Sequence, residues 1–405
     1  MYNFDEIIDR RGTSSSSEDG FRCLFGDKAG EKLPFEDNDI IRMWVADMGF
    51  STPDFVIEAV KERLDRKIMG YTELIDDSYY NCVADWCKRR YGLEFKSDEL
   101  CTSAGVVAAL KSLTGILKKD SKNVLILTPS YTPFKGAADY NDMGCIYSRL
   151  INTDGYYTID FEDFEKKAAD KDTNICIFCN PHNPTGRIWT KEELTRVGEI
   201  CRRNNMWLIS DEIHCDLLRR GFSHISFGNI LPDYDRLVIC MAPSKTFNMA
   251  GFMMSNIIIR SRELRKEWYR KNSSTVNPLS LAAATAAFSK GDSWLEELKA
   301  YIDGNFEAVK AIFDSETPKA NFKISEATYL GWLDISAYLK DDTGINVQYL
   351  FAKEGGVIIE YGDMFVDNGK GHIRINLACP LSMAKEGAKR ICTVLKKLET
   401  GEVKL

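Results

Sequence analysis

The sequence predicts an α/β fold, with a mostly parallel central sheet covered by helices and a smaller α+β domain. Two observations lead to this prediction. Five short segments are apolar at almost every position, as is typical of strands buried on both faces, and helical patterns lie between them. The segments are NVLIL (123–127), NICIFC (174–179), MWLIS (206–210), RLVICM (236–241) and NIIIR (256–260).

Signals for helix starts support this alternation. TKEELTRVGEICRRNN has Thr190 at its start and Glu193 three residues later, which predicts a capping box. STPDFVIEAVKERL predicts a second helix, with Thr52 as its cap and Pro53 at the first helical position. A third helix is expected to begin near Ser103 in TSAGVVAALKSLTGILKK.

The character of the sequence changes at about residue 290. Longer charged helices are followed there by the strand-like segments ATYLGWLDIS, GGVIIEYG and HIRINLA and by the helical segment MAKEGAKRICTVLKKLE. This mixture indicates a second α+β domain. We therefore expect a large domain over residues 46–289 and a small domain formed by residues 1–45 together with residues 290–405.

Composition limits the classes of function. The 405 residues carry a formal net charge of −7, which implies no broad basic surface and argues against nucleic-acid binding. The apolar segments are far shorter than a membrane span, and MYNFDEIIDRR has no signal-peptide core, so we expect a cytoplasmic protein. Cys176 and Cys179 fall on opposite faces of one predicted strand, which favours core packing over metal binding.

Polar side chains follow four of the predicted strands. In a parallel sheet, ligands bind beyond the carboxyl ends of the strands. Taken singly, such residues are more often turn, cap or solvated residues, but together they would converge on one pocket. The residues are Tyr131 after NVLIL, Asn183 after NICIFC, Asp211 and His214 after MWLIS, and Ser244 and Lys245 after RLVIC.

This set of side chains fits the cofactor pyridoxal 5′-phosphate. Its aldehyde needs a lysine and its pyridine nitrogen needs a carboxylate, and Lys245 and Asp211 can supply these groups. Asn183 can donate to the 3′-oxygen, and Tyr131 can stack on the ring. The phosphate needs backbone amides at a helix start, which the segment Gly105-Val106-Val107 can provide.

NPHNPTG, SDEIH and SKTFNMAG together resemble the fold-type I pyridoxal-phosphate enzymes of the aminotransferase class I/II superfamily. MWVADM (43–48), GYT (70–72), TPSYTPF, DEIHCDL and HIRINLACP are similar, more narrowly, to the cystathionine β-lyase-like C–S lyases of the MalY/PatB type. The similarity extends over nearly the whole chain. Gly49 stands where this branch usually has aspartate and Leu381 where it commonly has arginine, and neither position is a cofactor ligand.

The resemblance implies a role for each cofactor residue. Lys245 would hold the cofactor covalently and act as the general base, and Asp211 would pair with the pyridine nitrogen. The remaining residues are Asn183 and His214 for the 3′-oxygen, Tyr131 for the ring, and Gly105, Val106, Val107 and Ser244 for the phosphate.

The resemblance also implies a substrate site and a homodimer. Arg374 would clamp the substrate's α-carboxylate, with Ala46 and Tyr131 beside it. Tyr71 would reach the phosphate of the neighbouring subunit, so that the two subunits share active sites. Independently of the resemblance, alternation in HIRINL places Arg374 on a polar strand face, which could also be an ordinary exposed face.

The reaction implied by the resemblance is β-elimination of cystathionine or related S-substituted cysteines to a thiol, pyruvate and ammonia. An aminotransferase of aromatic or sulfur amino acids is an alternative, because both reactions use the same ligand set. A non-catalytic cofactor-binding regulatory module is a third reading, disfavoured by the presence of Lys245. A dinucleotide-binding oxidoreductase is disfavoured because no G-x-G-x-x-G follows the first predicted strand.

Overall fold

In a computed structural model, which describes residues 2–339 and 346–403, strands and helices alternate along most of the chain. The strands are β1 (Ile41–Arg42), β2 (Leu100–Ser103), β3 (Asn123–Thr128), β4 (Gly144–Arg149), β5 (Ile151–Thr153), β6 (Tyr156–Thr158), β7 (Ile175–Cys179), β8 (Trp207–Asp211), β9 (Leu237–Met241), β10 (Ser255–Ile259), β11 (Asn321–Phe322), β12 (Leu330–Asp334), β13 (Val357–Ile358), β14 (Glu360–Tyr361) and β15 (His372–Asn376). The α-helices are α1 (Asp54–Leu64), α2 (Ser78–Tyr91), α3 (Val106–Leu117), α4 (Thr132–Asp139), α5 (Phe161–Ala168), α6 (Lys191–Arg203), α7 (Phe227–Ile230), α8 (Pro243–Thr246), α9 (Arg262–Lys271), α10 (Pro278–Lys290), α11 (Asp292–Glu316), α12 (Val347–Gly355) and α13 (Leu381–Thr400).

The largest sheet has seven strands in the order β2-β10-β9-β8-β7-β3-β4. Strands β4, β3, β7, β8 and β9 pair in parallel, whereas β10 is antiparallel to both β9 and β2. All five apolar segments are strands of this sheet, which confirms the predicted α/β fold with a mostly parallel sheet. Because β10 alone is reversed, β2, β3, β4, β7, β8 and β9 all end at the same edge.

The two faces of the sheet contribute to different hydrophobic cores. Along β7, Cys176 belongs to one buried cluster and Cys179 to another, as their opposite orientation on the strand requires. The prediction that these cysteines pack in the core is confirmed, since both are buried. Within residues 2–339 and 346–403, no group of histidine, cysteine and carboxylate side chains is arranged to hold a metal ion.

The second half of the chain forms a four-stranded antiparallel sheet in the order β11-β12-β15-β14; α11 packs against β11 and against α13, which in turn packs against β1 and β13. The N-terminal segment joins this part, because β1 pairs in parallel with β13 and Phe21 and Phe25 share a buried cluster with Tyr349. These contacts support a small domain built from both ends of the chain. The boundaries at residues 46 and 289 stay a prediction.

Two predicted helix starts have different outcomes. The capping box of α6 is confirmed, because the Glu193 amide donates to Thr190 Oγ1 at 3.1 Å and the Thr190 amide donates to a Glu193 carboxylate oxygen at 2.8 Å. The prediction that Thr52 caps α1 is wrong. Pro53 holds the cap position, and the Thr52 hydroxyl instead donates to the carbonyl oxygen of Asn248 at 2.7 Å. Among the described helices, none has the length and apolar character needed to span a bilayer.

Candidate active site

A cavity of about 210 Å³ lies beyond the carboxyl ends of the central strands. Its position follows from the topology, since six strands that run in one direction end at this edge of the sheet. The cavity contains almost the whole set of residues predicted from the sequence. These are Ala46, Gly105, Val106, Val107, Tyr131, Asn183, Asp211, His214, Ser244 and Lys245.

Lys245 lies in the short helix α8, directly after β9. Its Nζ donates to the carbonyl oxygen of Ala46 at 2.7 Å. Desolvation, together with the positive charge of Arg374, lowers the pKa of this amine to about 8. A substantial fraction of the amine is therefore neutral near physiological pH, as a base or nucleophile requires.

Asp211 is the last residue of β8 and is only 4% exposed. One carboxylate oxygen accepts a hydrogen bond from the Ile213 amide at 3.1 Å. Burial raises the pKa of Asp211 to about 7, and this amide hydrogen bond only partly offsets the increase. A cationic partner in the cavity would stabilise the charged form of a carboxylate buried in this way.

Three more side chains surround the cavity. His214 is buried, and its Nδ1 has no hydrogen-bond partner among the described residues. Burial and the charge of Lys245 lower the pKa of His214 to about 3, so the ring is neutral. Tyr131 occupies the N-cap position of α4, and its ring contacts the ring of Phe134 edge to face, with 5.9 Å between ring centroids. Asn183 follows β7, and its side-chain oxygen accepts from Nη1 of Arg374 at 3.2 Å.

The start of α3 forms one end of the cavity. Gly105 occupies the cap position with φ of +130°, a conformation that residues with a side chain rarely adopt. The expected start near Ser103 is wrong by three residues, because Leu100–Ser103 form β2 and pair with β10. The first amides of α3, at Val106 and Val107, have no partner within the helix, and both residues line the cavity, so these amides could bind an anion there. Ser244 lines the same cavity.

Arg374 lies on β15 and is 3% exposed, so the alternative of an ordinary exposed strand face is wrong. Its guanidinium donates to the carbonyl oxygen of Trp44 at 3.1 Å and contacts Asn183, which lines the cavity. It also forms an ion pair with Glu360. Its Nε has no hydrogen-bond partner among the described residues. The guanidinium is thus held beside the cavity with one donor unused.

Tyr71 is the predicted site residue that lies apart. It is fully exposed, at 100%, and does not line the cavity of its own chain. This placement agrees with a residue that acts on a neighbouring subunit, which stays a prediction.

Two residues of the site have no local signal in the sequence. The Tyr329 hydroxyl donates to the Ala46 carbonyl oxygen at 2.8 Å, so that this oxygen accepts from both Tyr329 and Lys245. Tyr329 directly precedes β12, and in the sequence it is one aromatic residue of the apolar segment ATYLGWLDIS, which does not indicate a role in the site. Glu360 lies in the strand-like segment GGVIIEYG, and only the pairing of β14 with β15 brings it to Arg374.

The residues present fit pyridoxal 5′-phosphate. The cavity holds an amine of lowered pKa, a buried carboxyl group of raised pKa, and an imidazole nitrogen without a hydrogen-bond partner in the described part of the chain. The start of helix α3, with its first backbone amides, also lines it. These groups match the aldehyde, the pyridine nitrogen, the 3′-oxygen and the phosphate of the cofactor. Fold and site together define a fold-type I pyridoxal-phosphate enzyme.

Comparisons with known proteins give the family. The family model for aminotransferase class I and II matches residues 38–391, and the chain belongs to this family. Cystathionine beta-lyase PatB of Bacillus subtilis is 38% identical over 97% of this chain and 100% of that protein. Protein MalY of Escherichia coli is 27% identical over 98% of this chain and 99% of that protein.

Solved structures agree with this assignment. The pyridoxal-phosphate-bound C–S lyase from Staphylococcus hominis is 47% identical, with a TM-score of 0.91 over 98% of each chain. Cystalysin from Treponema denticola, which contains a pyridoxal 5′-phosphate cofactor, is 33% identical, with a TM-score of 0.90 over 98% of this chain and 100% of the other. The predictions of fold and cofactor are confirmed, and this chain is a pyridoxal-phosphate-dependent enzyme.

Proposed function

We propose that this protein is a C–S lyase that catalyses β-elimination of cystathionine or related S-substituted cysteines. Water is consumed, and a thiol, pyruvate and ammonia are released. The observation that carries the proposal is the pair of basic groups, Lys245 of lowered pKa and the buried Arg374, at the cavity of a chain that is 47% identical overall to the C–S lyase from Staphylococcus hominis.

The cofactor would be held by residues from five strand ends. Lys245 forms the covalent link, and Asp211 supplies a negative charge to the pyridine nitrogen. When bound, the cofactor withdraws electrons from the substrate's Cα, which makes the Cα–H bond acidic. The other holding residues are Asn183 and His214 at the 3′-oxygen, Tyr131 at the ring, and Gly105, Val106, Val107 and Ser244 at the phosphate.

Lys245 is the group that moves the proton. With a pKa of about 8, its amine is neutral often enough to accept the Cα proton near physiological pH. The carbonyl oxygen of Ala46 holds Nζ at 2.7 Å and so fixes the side of the cavity from which the proton is taken. The protonated amine then provides an acid for the departing thiolate.

Arg374 orients the substrate. A planar guanidinium can bind both oxygens of a carboxylate, which fixes the direction of the bonds at Cα. The contacts from Trp44 and Asn183 hold this guanidinium in one position beside the cavity. Tyr131 and Ala46 line the space where the substrate's amino group and Cβ would lie.

An assay of pyruvate release tests the proposed reaction. Purified protein loaded with pyridoxal 5′-phosphate should release pyruvate from cystathionine without any added keto acid. Alanine, which has no leaving group at Cβ, is the matched control and should release none. Consumption of cystathionine that strictly requires a keto-acid acceptor and releases no pyruvate would show instead an aminotransferase, the other activity for which this ligand set is suited.

We also infer that the protein works as a homodimer in the cytoplasm. Tyr71 is fully exposed on the single chain, as expected for a side chain that completes the site of a neighbouring subunit. All twelve cysteines lie in the described residues and none is paired, which suits a reducing compartment.

A further inference from the structure

Glu360 lies directly opposite Arg374 in the antiparallel pair of β14 and β15. Side chains of directly opposed residues project from the same face of a sheet and are close enough to interact. The carboxylate of Glu360 forms an ion pair with Nη2 of Arg374, and the two side chains are 14% and 3% exposed. The proposed anchor for the substrate's carboxylate is thus already paired with a carboxylate from its own chain.

The donors of Arg374 are used unevenly. Nη1 donates to the side-chain oxygen of Asn183, and Nη2 donates to the carbonyl oxygen of Trp44. Nη2 also lies in direct contact with Oε2 of Glu360 as an ion pair, although the geometry is not that of a hydrogen bond. Nε has no hydrogen-bond partner among the described residues.

A carboxylate that binds a guanidinium through both oxygens needs Nη2. The two forks of the group are Nη1 with Nη2 and Nε with Nη2, so either fork includes this nitrogen. Because Nη2 of Arg374 already donates to Trp44 and lies in contact with Glu360, a substrate's carboxylate can reach it only if one of these two contacts moves away. The acceptor from Trp44 is part of the backbone, whereas the acceptor from Glu360 ends a side chain that can rotate.

The electrostatic surroundings of Glu360 indicate how its carboxylate would interact with the carboxylate of a bound substrate. Lys245 and Arg374 both act electrostatically on its carboxylate, so Glu360 belongs to the site and not to a distant surface. Burial nevertheless raises the pKa of Glu360, and the two basic groups only partly offset the effect. A second carboxylate on the same guanidinium would be repelled by Glu360 as long as Glu360 stays in place.

We propose that Glu360 is a specificity-determining residue that competes with the substrate's α-carboxylate for Arg374. This inference rests on the proposed function, in which Arg374 is the carboxylate anchor. Because part of the carboxylate affinity is cancelled, a substrate must gain affinity through its amino group and its sulfur-bearing side chain. Small amino acids, which offer little beyond the carboxylate, are disfavoured relative to larger thioethers.

The test is a binding measurement that needs no turnover. The cofactor-loaded protein is titrated calorimetrically with propionate, a carboxylate without an amino group. Glu360→Gln and Glu360→Ala both remove the competing charge, and each should bind propionate about 10- to 100-fold more tightly than the unmodified protein. Glu386→Gln, the same change in the exposed ion pair with Arg390, should leave the affinity unchanged.

Arg374→Gln separates failure of this inference from failure of the proposed function. It should abolish propionate binding, because the anchor is then missing. Unchanged or weaker propionate binding in both Glu360 variants, with binding still lost in Arg374→Gln, would overturn the competition and make Glu360 a residue that only orients Arg374. If Arg374→Gln still binds propionate, the anchor is elsewhere and the inference falls with it. Absence of pyruvate release from cystathionine would overturn the lyase reaction and leave the propionate result valid.

Discussion

The amine of Lys245 and the carbonyl oxygen of Ala46 lie 2.7 Å apart, although 199 residues separate them in the sequence. The same oxygen accepts from the Tyr329 hydroxyl at 2.8 Å. A carbonyl oxygen has two lone pairs, so these two donors satisfy it. The amine is therefore held in a defined direction by an N-terminal segment that lies outside the central sheet.

Replacement of Lys245 by alanine should remove the covalent link to the cofactor. We expect loss of the visible absorbance after desalting, and a fall in pyruvate release of about 10²- to 10⁴-fold, because the general base is missing as well. Reduction of the loaded protein with borohydride, followed by mass spectrometry, should place the adduct on Lys245. Lys385→Ala, an exposed change, serves as the control. An adduct on another lysine would contradict the assignment.

The lowered pKa of Lys245 predicts selective labelling in the cofactor-free protein. At pH 8 about half of this amine is neutral, compared with less than about 1% of a lysine with the ordinary pKa. A brief pulse of an acylating reagent should label Lys245 first, with half-maximal rate near pH 8. In Arg374→Gln the midpoint should move to higher pH, because the positive charge of Arg374 helps to lower the pKa of Lys245. Labelling that follows the pH profile of exposed Lys385 would refute this.

Asp211 should make the stability of the cofactor-free protein depend on pH. Its pKa is about 7 in the folded chain and near 3.8 in the unfolded chain, so the folded state keeps a proton that the unfolded state releases. This contribution is present below about pH 4 and is lost as the pH rises to about 7. Asp211→Asn should therefore be more stable than the unmodified protein at pH 8, by roughly 2–4 kcal/mol, and similar to it near pH 4.

Urea unfolding at the two pH values measures this difference. Asp235→Asn, at an exposed position, is the control and should show no dependence of this kind. A destabilised Asp211→Asn protein at pH 8 would mean that the carboxylate has a compensating partner in the cofactor-free state.

Arg374→Lys should affect substrate binding more than the chemical step. Lysine keeps the charge but cannot offer two parallel donors, so the KM for cystathionine should rise about 10- to 100-fold with a smaller change in kcat. Arg149→Lys, in an exposed ion pair with Asp367, should leave both constants unchanged. A fall in kcat with an unchanged KM would place Arg374 in the chemistry instead of in substrate binding.

Complementation between two inactive variants tests the shared active site. Tyr71→Ala and Lys245→Ala are co-expressed with different tags, and the mixed dimer is purified. If Tyr71 serves the neighbouring subunit, one of the two sites of the mixed dimer is intact, and the purified mixed dimer should show about one half of the normal activity. Activity no higher than that of either variant alone would show that Tyr71 does not act across the interface.

Much of the fold and site follows from local sequence patterns. Strands buried on both faces are predominantly apolar, so β7 and β9 are visible as uninterrupted apolar segments and β8 as an apolar segment that ends in Ser210 and Asp211. The residues that follow them, such as Asn183, Asp211 and Lys245, then lie at one edge because parallel strands end together. No tertiary information is needed for this step.

The features that sequence reasoning missed depend on contacts between distant segments. Glu360 reaches Arg374 only through the pairing of β14 with β15, and Tyr329 reaches Ala46 although 283 positions separate them in the sequence. Thr52 has the composition of a helix cap, but its hydroxyl is taken by the Asn248 carbonyl oxygen, which no local pattern shows. In each case a polar group is satisfied by a distant partner instead of by its neighbours in sequence.

The hydrogen bond between Arg374 and Trp44 limits the order in which parts of the site can form during synthesis. Trp44 and Arg374 are 330 residues apart, so the N-terminal segment leaves the ribosome long before its partners exist. Closing so long a loop is slow, and it cannot precede synthesis of β15. During translation the strand ends that carry Asp211 and Lys245 are complete first. The residues that hold the cofactor are therefore synthesised before Arg374, the proposed anchor of the substrate's carboxylate.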